Sequence, residues 1–412
     1  MGQQIELVGI GSGNPDDLTP RAREAILGAE KIAGAPRMLE LAQKTGCRAK
    51  KRLAGYRADE ITAFFQEDDH WTHGCVLLSG DVGFYSGAAG TEAALKRAGF
   101  VTERIPGLSS LQLLCARVGI PWENVPVLSL HGTGRDAMGE LPGLAAAHPW
   151  TFVLPGRAED LAAAGALLAD FQLPDLVFHV GIRLGYPDGK VVTLKAAKAD
   201  RIEPFDGPFC MLVENPAPCP LSGEIPDEDF VRGEVPMTKE EVRDVILAKL
   251  CLPARGVFWD VGAGTGSVSV QAAGERPGLV VYAIEEKDAA CDLILKNAAR
   301  FHAGNIHLVR GHAPEALTDL PAPDAVFIGG SGRNLAEIIR AVLSRTPSCR
   351  VVMSFVSLEN LTLALTALKD LEIDPEMVQV SVAKSRKAGS VHLLTGQNPV
   401  SILSFTGRQC DG

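Results

Sequence analysis

Close cysteine spacing is missing from this chain of 412 residues. Its nine cysteines (Cys47, Cys75, Cys115, Cys210, Cys219, Cys251, Cys291, Cys349 and Cys410) are scattered and never form a C-x-x-C pair. That spacing argues against a zinc site or a disulfide framework, so no metal is expected and the thiols read as buried or incidental. Long apolar runs are missing too, since none reaches the roughly 18 to 20 residues that span a bilayer. The first residues, Met1-Gly2-Gln3-Gln4-Ile5-Glu6, lack a charged segment followed by an apolar one, and Glu6 spoils a myristoylation match. Positive charge is in deficit: 40 Lys and Arg stand against 50 Asp and Glu, a net charge of −10. Nonspecific nucleic-acid binding depends on basic surface that neutralises phosphates, so DNA or bulk RNA is disfavoured as a substrate. An acidic small molecule needs only a few local cations. The expectation is a cytoplasmic protein with neither a membrane nor a nucleic acid as partner.

What is present is globular composition, 46% hydrophobic and 22% charged, in a chain long enough for two or three domains. The first half alternates short apolar runs with helical stretches. Ile5–Ile10, Cys75–Ser79 and Val101–Ile105 read as strands, and Thr19–Ala33 and Gly87–Ala98 as helices, a pattern that predicts parallel α/β architecture. Further strand-like runs follow at Thr151–Leu154, Leu176–Val180, Lys190–Leu194 and Phe209–Val213. Between Glu214 and Pro236 five prolines and several acids interrupt the pattern, which no helix or interior strand tolerates. The boundary is placed there: one domain over 1–215, a Pro-rich linker over 216–235 and a second domain over 236–412.

The second half restarts with a helix at Lys239–Leu250 and a strand at Val257–Val261. A glycine turn then leads into a helix running through Ala272. Strands are expected at Val280–Ile284, Ile306–Val309, Ala325–Ile328 and Arg350–Ser354. The last two runs, Val378–Val382 and His392–Thr395 with its extension to Ser404, are close enough for an antiparallel edge pair. The turn reads Asp260-Val261-Gly262-Ala263-Gly264-Thr265-Gly266, and glycines there let the backbone turn tightly and approach a ligand. Its G-x-G-x-G spacing puts Ser267 where a dinucleotide loop would have its third glycine. This form resembles the signature loop of class I S-adenosylmethionine-dependent methyltransferases. Glu285 ends the next strand, where an acid accepts hydrogen bonds from a ribose diol. Glu286 is the competing choice, with strand alternation favouring Glu285. Gly311-His312-Ala313-Pro314-Glu315 sits where such domains line the adenine. Together with Met237–Arg243, Phe327–Gly332, Leu358–Leu361 and Asn398–Val400, the turn is similar to the C15-methylating, decarboxylating precorrin methyltransferase domain. The resemblance covers nearly all of 236–405. It implies cofactor contacts from Thr238, Gly262, Ala263, Gly264, Thr265, Gly266, Glu285 and Ala313. Thr238-x-x-Glu241 also reads as a capping box.

In the first half, Val8-Gly9-Ile10-Gly11-Ser12-Gly13-Asn14-Pro15 is followed by Ser79–Ser86, Pro106-Gly107-Leu108-Ser109-Ser110 and Ser129–Gly132. In this order they resemble the tetrapyrrole methylases, the class III methyltransferases, and most closely their C5-methylating precorrin members. Coverage is about 3–215. Ser12 and Asn14 stand where the family usually has Pro and Asp, and Val82 replaces a usual Pro. The resemblance implies a second S-adenosylmethionine site formed by Gly11, Gly13, Gly80, Asp81, Val82, Ser109 and Ser110. Asp81 has an alternative reading as a turn former.

The fold class expected is therefore α/β throughout: a two-subdomain tetrapyrrole methylase fold, then a class I Rossmann-like sheet with an antiparallel edge pair. A fusion of these halves resembles the C5,15-methylating, decarboxylating precorrin methyltransferases. It implies two S-adenosylmethionine sites, a tetrapyrrole substrate and a homo-oligomer. In-line methyl transfer to an electron-rich carbon needs chiefly positioning, which suits a chain with no obvious triad or metal cluster. Arg333, Lys384, Arg386 and Lys387 follow strand ends and are the candidates for substrate carboxylates, with ordinary surface charge as the competing reading. An RNA-modifying methyltransferase is opposed by the acidic balance. A nicotinamide-dependent oxidoreductase is opposed by the missing third glycine.

Overall fold

A computed structural model describes residues 3–68, 70–131, 135–220, 223–330 and 334–407. The chain separates into two compact units. One comprises 1–132, 150–161 and 176–214; the other comprises 133–149, 162–175 and 215–412.

The first unit carries strands β1 (Gln4–Gly9), β2 (Lys31–Gly34), β3 (Lys51–Ala54), β4 (His73–Leu78) and β5 (Val101–Ile105). They form a parallel sheet in the order β3-β2-β4-β1-β5. Alternation along β1 puts Ile5 and Leu7 into one hydrophobic cluster and Val8 into another, so the sheet is covered on both faces, as parallel sheets are. The helix expected over Thr19–Ala33 is shorter. Thr19 caps it through Ala22 N–H, but it stops at Gly28, and Ala29 is already extended. The following residues are β2, buried at all four positions, because Lys31, Ile32 and Ala33 pair with Gly74, Cys75 and Val76. Here sheet pairing outweighs helix propensity. β3 and the helices Pro36–Thr45 and Ala58–Gln66 were not anticipated.

A second sheet contains β6 (Val127–Ser129), β7 (Trp150–Leu154), β8 (Val177–Ile182), β9 (Lys190–Lys195) and β10 (Phe209–Glu214), in the order β6-β7-β10-β8-β9. Only β6 and β7 pair in parallel; the other three pairings are antiparallel.

The second unit holds β11 (Arg255–Val261), β12 (Gly278–Glu285), β13 (Ile306–Arg310), β14 (Ala325–Ile328), β15 (Arg350–Phe355), β16 (Glu376–Val380), β17 (Ala383–Ala388), β18 (Val391–Gly396) and β19 (Val400–Thr406). The main sheet runs β13-β12-β11-β14-β15-β19-β16, with β19 antiparallel to both its neighbours. Phe258 and Trp259 are fully buried on opposite faces, each inside its own cluster. The expected edge pair is present, but the run His392–Ser404 is two strands rather than one. Gln397-Asn398-Pro399 divides it, and the partner of β16 is β19. β18 pairs with β17 in a separate hairpin instead. Among the described residues the cysteines are unpaired, with Cys219 and Cys251 exposed and the rest buried; Cys410 lies outside them.

Candidate active site

In the second unit, chain order reverses between β11 and β14, and the crevice beyond the carboxyl ends of such strands is where open α/β sheets take ligands. A cavity of about 1280 Å³ occupies this position. The turn after β11 forms part of its wall with Gly262, Ala263 and Gly264. Gly262, Gly264 and Gly266 all have positive φ, at 74°, 60° and 77°. A Cβ on Gly262 would lie 2.6 Å from the carbonyl oxygen of Gly330, so this position has no room for a side chain.

Glu285, at the end of β12, is 7% exposed and lines the same cavity. Gly264 N–H donates to its Oε2 at 2.9 Å, and the N–H groups of Glu286 and Lys287 donate to Oε1, each at 3.0 Å. A carboxylate offers about four acceptor sites, so one remains on Oε2. Glu286 is spent differently: its Oε2 lies 2.8 Å from Nδ1 of His312, whose Nε2 is 3.0 Å from the amide nitrogen of Asn334. That pattern fits an Nδ1–H donor and an Nε2 acceptor. Both acids line the cavity, and Glu285 is the more buried of the two.

Asp260 lies behind the turn, fully buried. Its Oδ2 accepts from Ser269 N–H at 3.1 Å and from Ser269 Oγ at 2.6 Å, and its Oδ1 has no partner. Burial pushes its carboxyl up to about 7, partly offset by the two bonds from Ser269.

Of the expected contacts in this unit, Thr238, Gly262, Ala263, Gly264, Glu285 and Ala313 come together around the cavity. Thr265 and Gly266 do not line it. Thr265 is buried, with its carbonyl accepting from Asn297 Nδ2 at 2.8 Å, and Gly266 caps the helix Ser267–Glu275. Lys384 is held by Glu240, and by Glu241 at 3.0 Å, which raises its pKa above the ordinary lysine value, the Glu240 hydrogen bond contributing most. Arg386 and Lys387 are exposed on the β17–β18 hairpin. None of these three lines the cavity, and Arg333 lies outside the described residues. Among the described residues the Lys and Arg side chains that line it are Lys239, Lys287 and Arg340, and its remaining polar wall includes Ser354, Ser357, Asn360 and Asn398. Lys287 had a local signal, two residues past the strand-end acid. Arg340 had none, because a helical arginine reads as surface.

In the first unit the three expected loops do meet, at the carboxyl ends of the adjacent strands β4, β1 and β5. Gly11 and Gly80 exchange backbone hydrogen bonds of 3.0 and 3.2 Å. A Cβ on Gly107 would lie 2.5 Å from the carbonyl oxygens of both Gly9 and Gly80. Asp81 acts as the expected turn former and also ties two loops. Its Oδ1 accepts from Gly83 N–H at 2.8 Å within its own turn, and its Oδ2 accepts from Gly107 N–H at 3.1 Å across loops. Ser109 forms a capping box with Gln112 on the helix that begins at Ser110, and Val82 is buried. The hydroxyl of Ser12 bonds the carboxylate of Asp17, and the Tyr186 ring packs over Gly13.

A seven-stranded sheet of this order, with a glycine turn and a strand-end acid on one cavity, defines a class I methyltransferase unit. A family model of the precorrin methyltransferase domain matches residues 229–407, and one of tetrapyrrole (corrin/porphyrin) methylases matches 4–200. A probable cobalt-precorrin-6B C(15)-methyltransferase (decarboxylating) of Pyrobaculum calidifontis is 46% identical over 185 residues, 44% of this chain and 94% of that protein. The cobalt-precorrin-6B C(15)-methyltransferase (decarboxylating) of Salmonella typhimurium is 42% identical over 181 residues, 43% of this chain and 93% of that protein. Among solved structures, a precorrin-6y C5,15-methyltransferase from Geobacter metallireducens is 41% identical, covering 45% of this chain and 96% of its own, with a TM-score of 0.43. The chain belongs to the precorrin methyltransferase family.

Proposed function

We propose that this protein methylates precorrin-6B at C5 and C15, using S-adenosylmethionine at one site in each unit. Loss of the ring-C (C12) acetate carboxyl accompanies the C15 step and gives precorrin-8, in cobalamin biosynthesis. The proposed division of labour is C5 methylation over 1–215 and C15 methylation with decarboxylation over 236–412, joined by 216–235. The observation that carries this reading is the cavity of the second unit, which extends from Gly262–Gly264 and Glu285 to Ser354, Asn360 and Asn398.

The residues fit the cofactor. Gly264, at φ 60°, brings bare backbone to the cavity, and the spare acceptor on Glu285 suits a ribose hydroxyl. Thr238 and Ala313 complete the proposed contacts; Thr265 and Gly266 support the turn from behind. In the first unit Gly11, Gly13, Gly80, Asp81, Val82, Ser109 and Ser110 form the second proposed site. Bound at either, S-adenosylmethionine supplies an electrophilic methyl group. The chain's own task is to hold the nucleophilic carbon in line, and such positioning is worth roughly 7–11 kcal/mol. Lys239, Lys287 and Arg340 would hold the retained carboxylates, with Arg333 a further candidate, while Phe327, Phe355 and Leu363 give an apolar wall. A carboxylate set against that wall loses hydration, which favours its departure as carbon dioxide. The electron pair of the broken carbon–carbon bond enters the conjugated macrocycle.

The setting proposed is the cytoplasm. Among the described residues no helix is long and apolar enough to cross a membrane, and the net charge of −10 supports a small-molecule rather than a nucleic-acid partner. Exposed Val391, Leu393 and Leu394 on the β17–β18 hairpin support self-association, which sedimentation would detect. Incubation with a precorrin and isotopically methyl-labelled S-adenosylmethionine tests the whole reading. Mass analysis should find two labelled methyl groups gained and one carbon dioxide lost; one label with every carboxyl retained would refute it.

A further inference from the structure

The segment Ile225–Lys239 ends at the cavity, where Val235, Pro236, Met237, Thr238 and Lys239 form part of the wall. It is not free chain. Ile225 and Phe230 are buried against Val270, and a Cβ on Gly264 would lie 3.1 Å from the carbonyl oxygen of Pro236. One side chain ties both ends of this strap. Arg243, wholly buried in the helix Glu240–Leu250, donates through Nη1 to the Thr238 carbonyl at 2.9 Å and through Nη2 to the Ile225 carbonyl. Its Nε donates to Gln271 at 2.6 Å, Asp227 lies 3.5 Å from Nη1, and the Phe230 ring lies 4.8 Å from the guanidinium carbon.

A buried guanidinium is costly unless every donor is matched, and the fork geometry of arginine can hold two carbonyls at once where lysine offers a single point. A structural anchor for the helix needs no bond to the cavity wall. Arg243 instead spends its two terminal nitrogens on carbonyls thirteen positions apart, one of them belonging to Thr238. Asn297 makes a second tie: its side chain bonds the carbonyl of Thr265 in the glycine turn and both backbone groups of Val231 in the strap.

We infer that Arg243 is a positioning residue that sets the strap as one wall of the cofactor site, so that strap order and cofactor affinity rise and fall together. This rests on the cofactor reading of the cavity given above. Arg243→Met should raise the KM for S-adenosylmethionine in C15 methylation about tenfold or more while changing kcat less than about threefold, and Arg243→Lys should fall between Met and wild type. Circular dichroism fixes a temperature at which each variant is folded. Hydrogen exchange on the unaltered enzyme gives an independent arm: saturating S-adenosylhomocysteine should slow exchange across 225–239. A folded Arg243→Met protein with unchanged KM, or a strap whose exchange ignores the ligand, would overturn the inference. If the methionine variant fails to fold, the exchange experiment alone decides. Glu285→Ala separates the two levels. If it too leaves the KM unchanged, the cofactor reading has failed; if only the Arg243 variants do, the strap inference has failed and the reading stands.

Discussion

The two glycine-turn regions share close backbone packing but differ in how far side chains from elsewhere fix them. In the first unit, loops from β1, β4 and β5 close on one another through backbone groups, with Gly9, Gly80 and Gly107 in mutual contact and Asp81 as the main side-chain tie. In the second, one turn is fixed by side chains that arrive from elsewhere: Glu285 on Gly264, Asn297 on Thr265, and Arg243 on the strap above it. Both should therefore be sensitive to added bulk, and the second also to deleted polar groups. Glycine count alone hides this difference, because it does not show which side chains from elsewhere fix each turn.

The largest expected effects would break the comparison outright. Gly107→Ala forces a Cβ between two carbonyl oxygens, and it should lower C5 methylation at least about 100-fold while leaving C15 methylation intact. Glu285→Ala should do the reverse, with a C15 loss of similar size and C5 methylation spared. Assaying the two positions separately by mass checks both; loss of both methylations from either variant would mean that the sites are not independent.

A smaller effect concerns Asp260. Its folded-state pKa of about 7 lies above the ordinary 3.8, so the folded protein binds more protons than the unfolded chain between those values. Its contribution to stability therefore falls as pH rises from about 4 to about 7, and is constant above that range. Asp260→Asn removes this loss, so the stability of the variant relative to wild type should climb over that window at no more than about 1.4 kcal/mol per pH unit. Denaturant titrations at several pH values read it directly, and a difference that is flat with pH would remove the assigned titration. The smallest effect sharpens the contrast between buried and exposed ties. Lys384→Ala breaks a half-exposed pairing with Glu240 and Glu241 and should cost about 1 kcal/mol or less, shrinking in high salt.

How far the site could be read ahead of the fold depended on sequence distance. Asp260–Gly266 and Glu285 were legible because strand, turn, helix and strand-end acid are local features. Arg243 and Asn297 were not, since their partners lie up to 28 and 66 positions away. Lys384 reads as a ligand contact from its place after a strand, yet its partner Glu240, 144 positions earlier, already neutralises it. The helix extended in expectation to Ala33 failed for a related reason: what ends it is a sheet neighbour at Cys75 and Val76.

By itself, the amino-acid order determined the α/β class and the two glycine turns with their family likeness, properties of residues near one another along the chain. Only the tertiary structure decided which cations reach the cavity, and that part of a segment read as a linker packs into the second unit through Ile225 and Phe230. Those outcomes depend on burial and on hydrogen-bond partners brought together from distant positions, and a buried charge has to be matched wherever the fold has placed its partner.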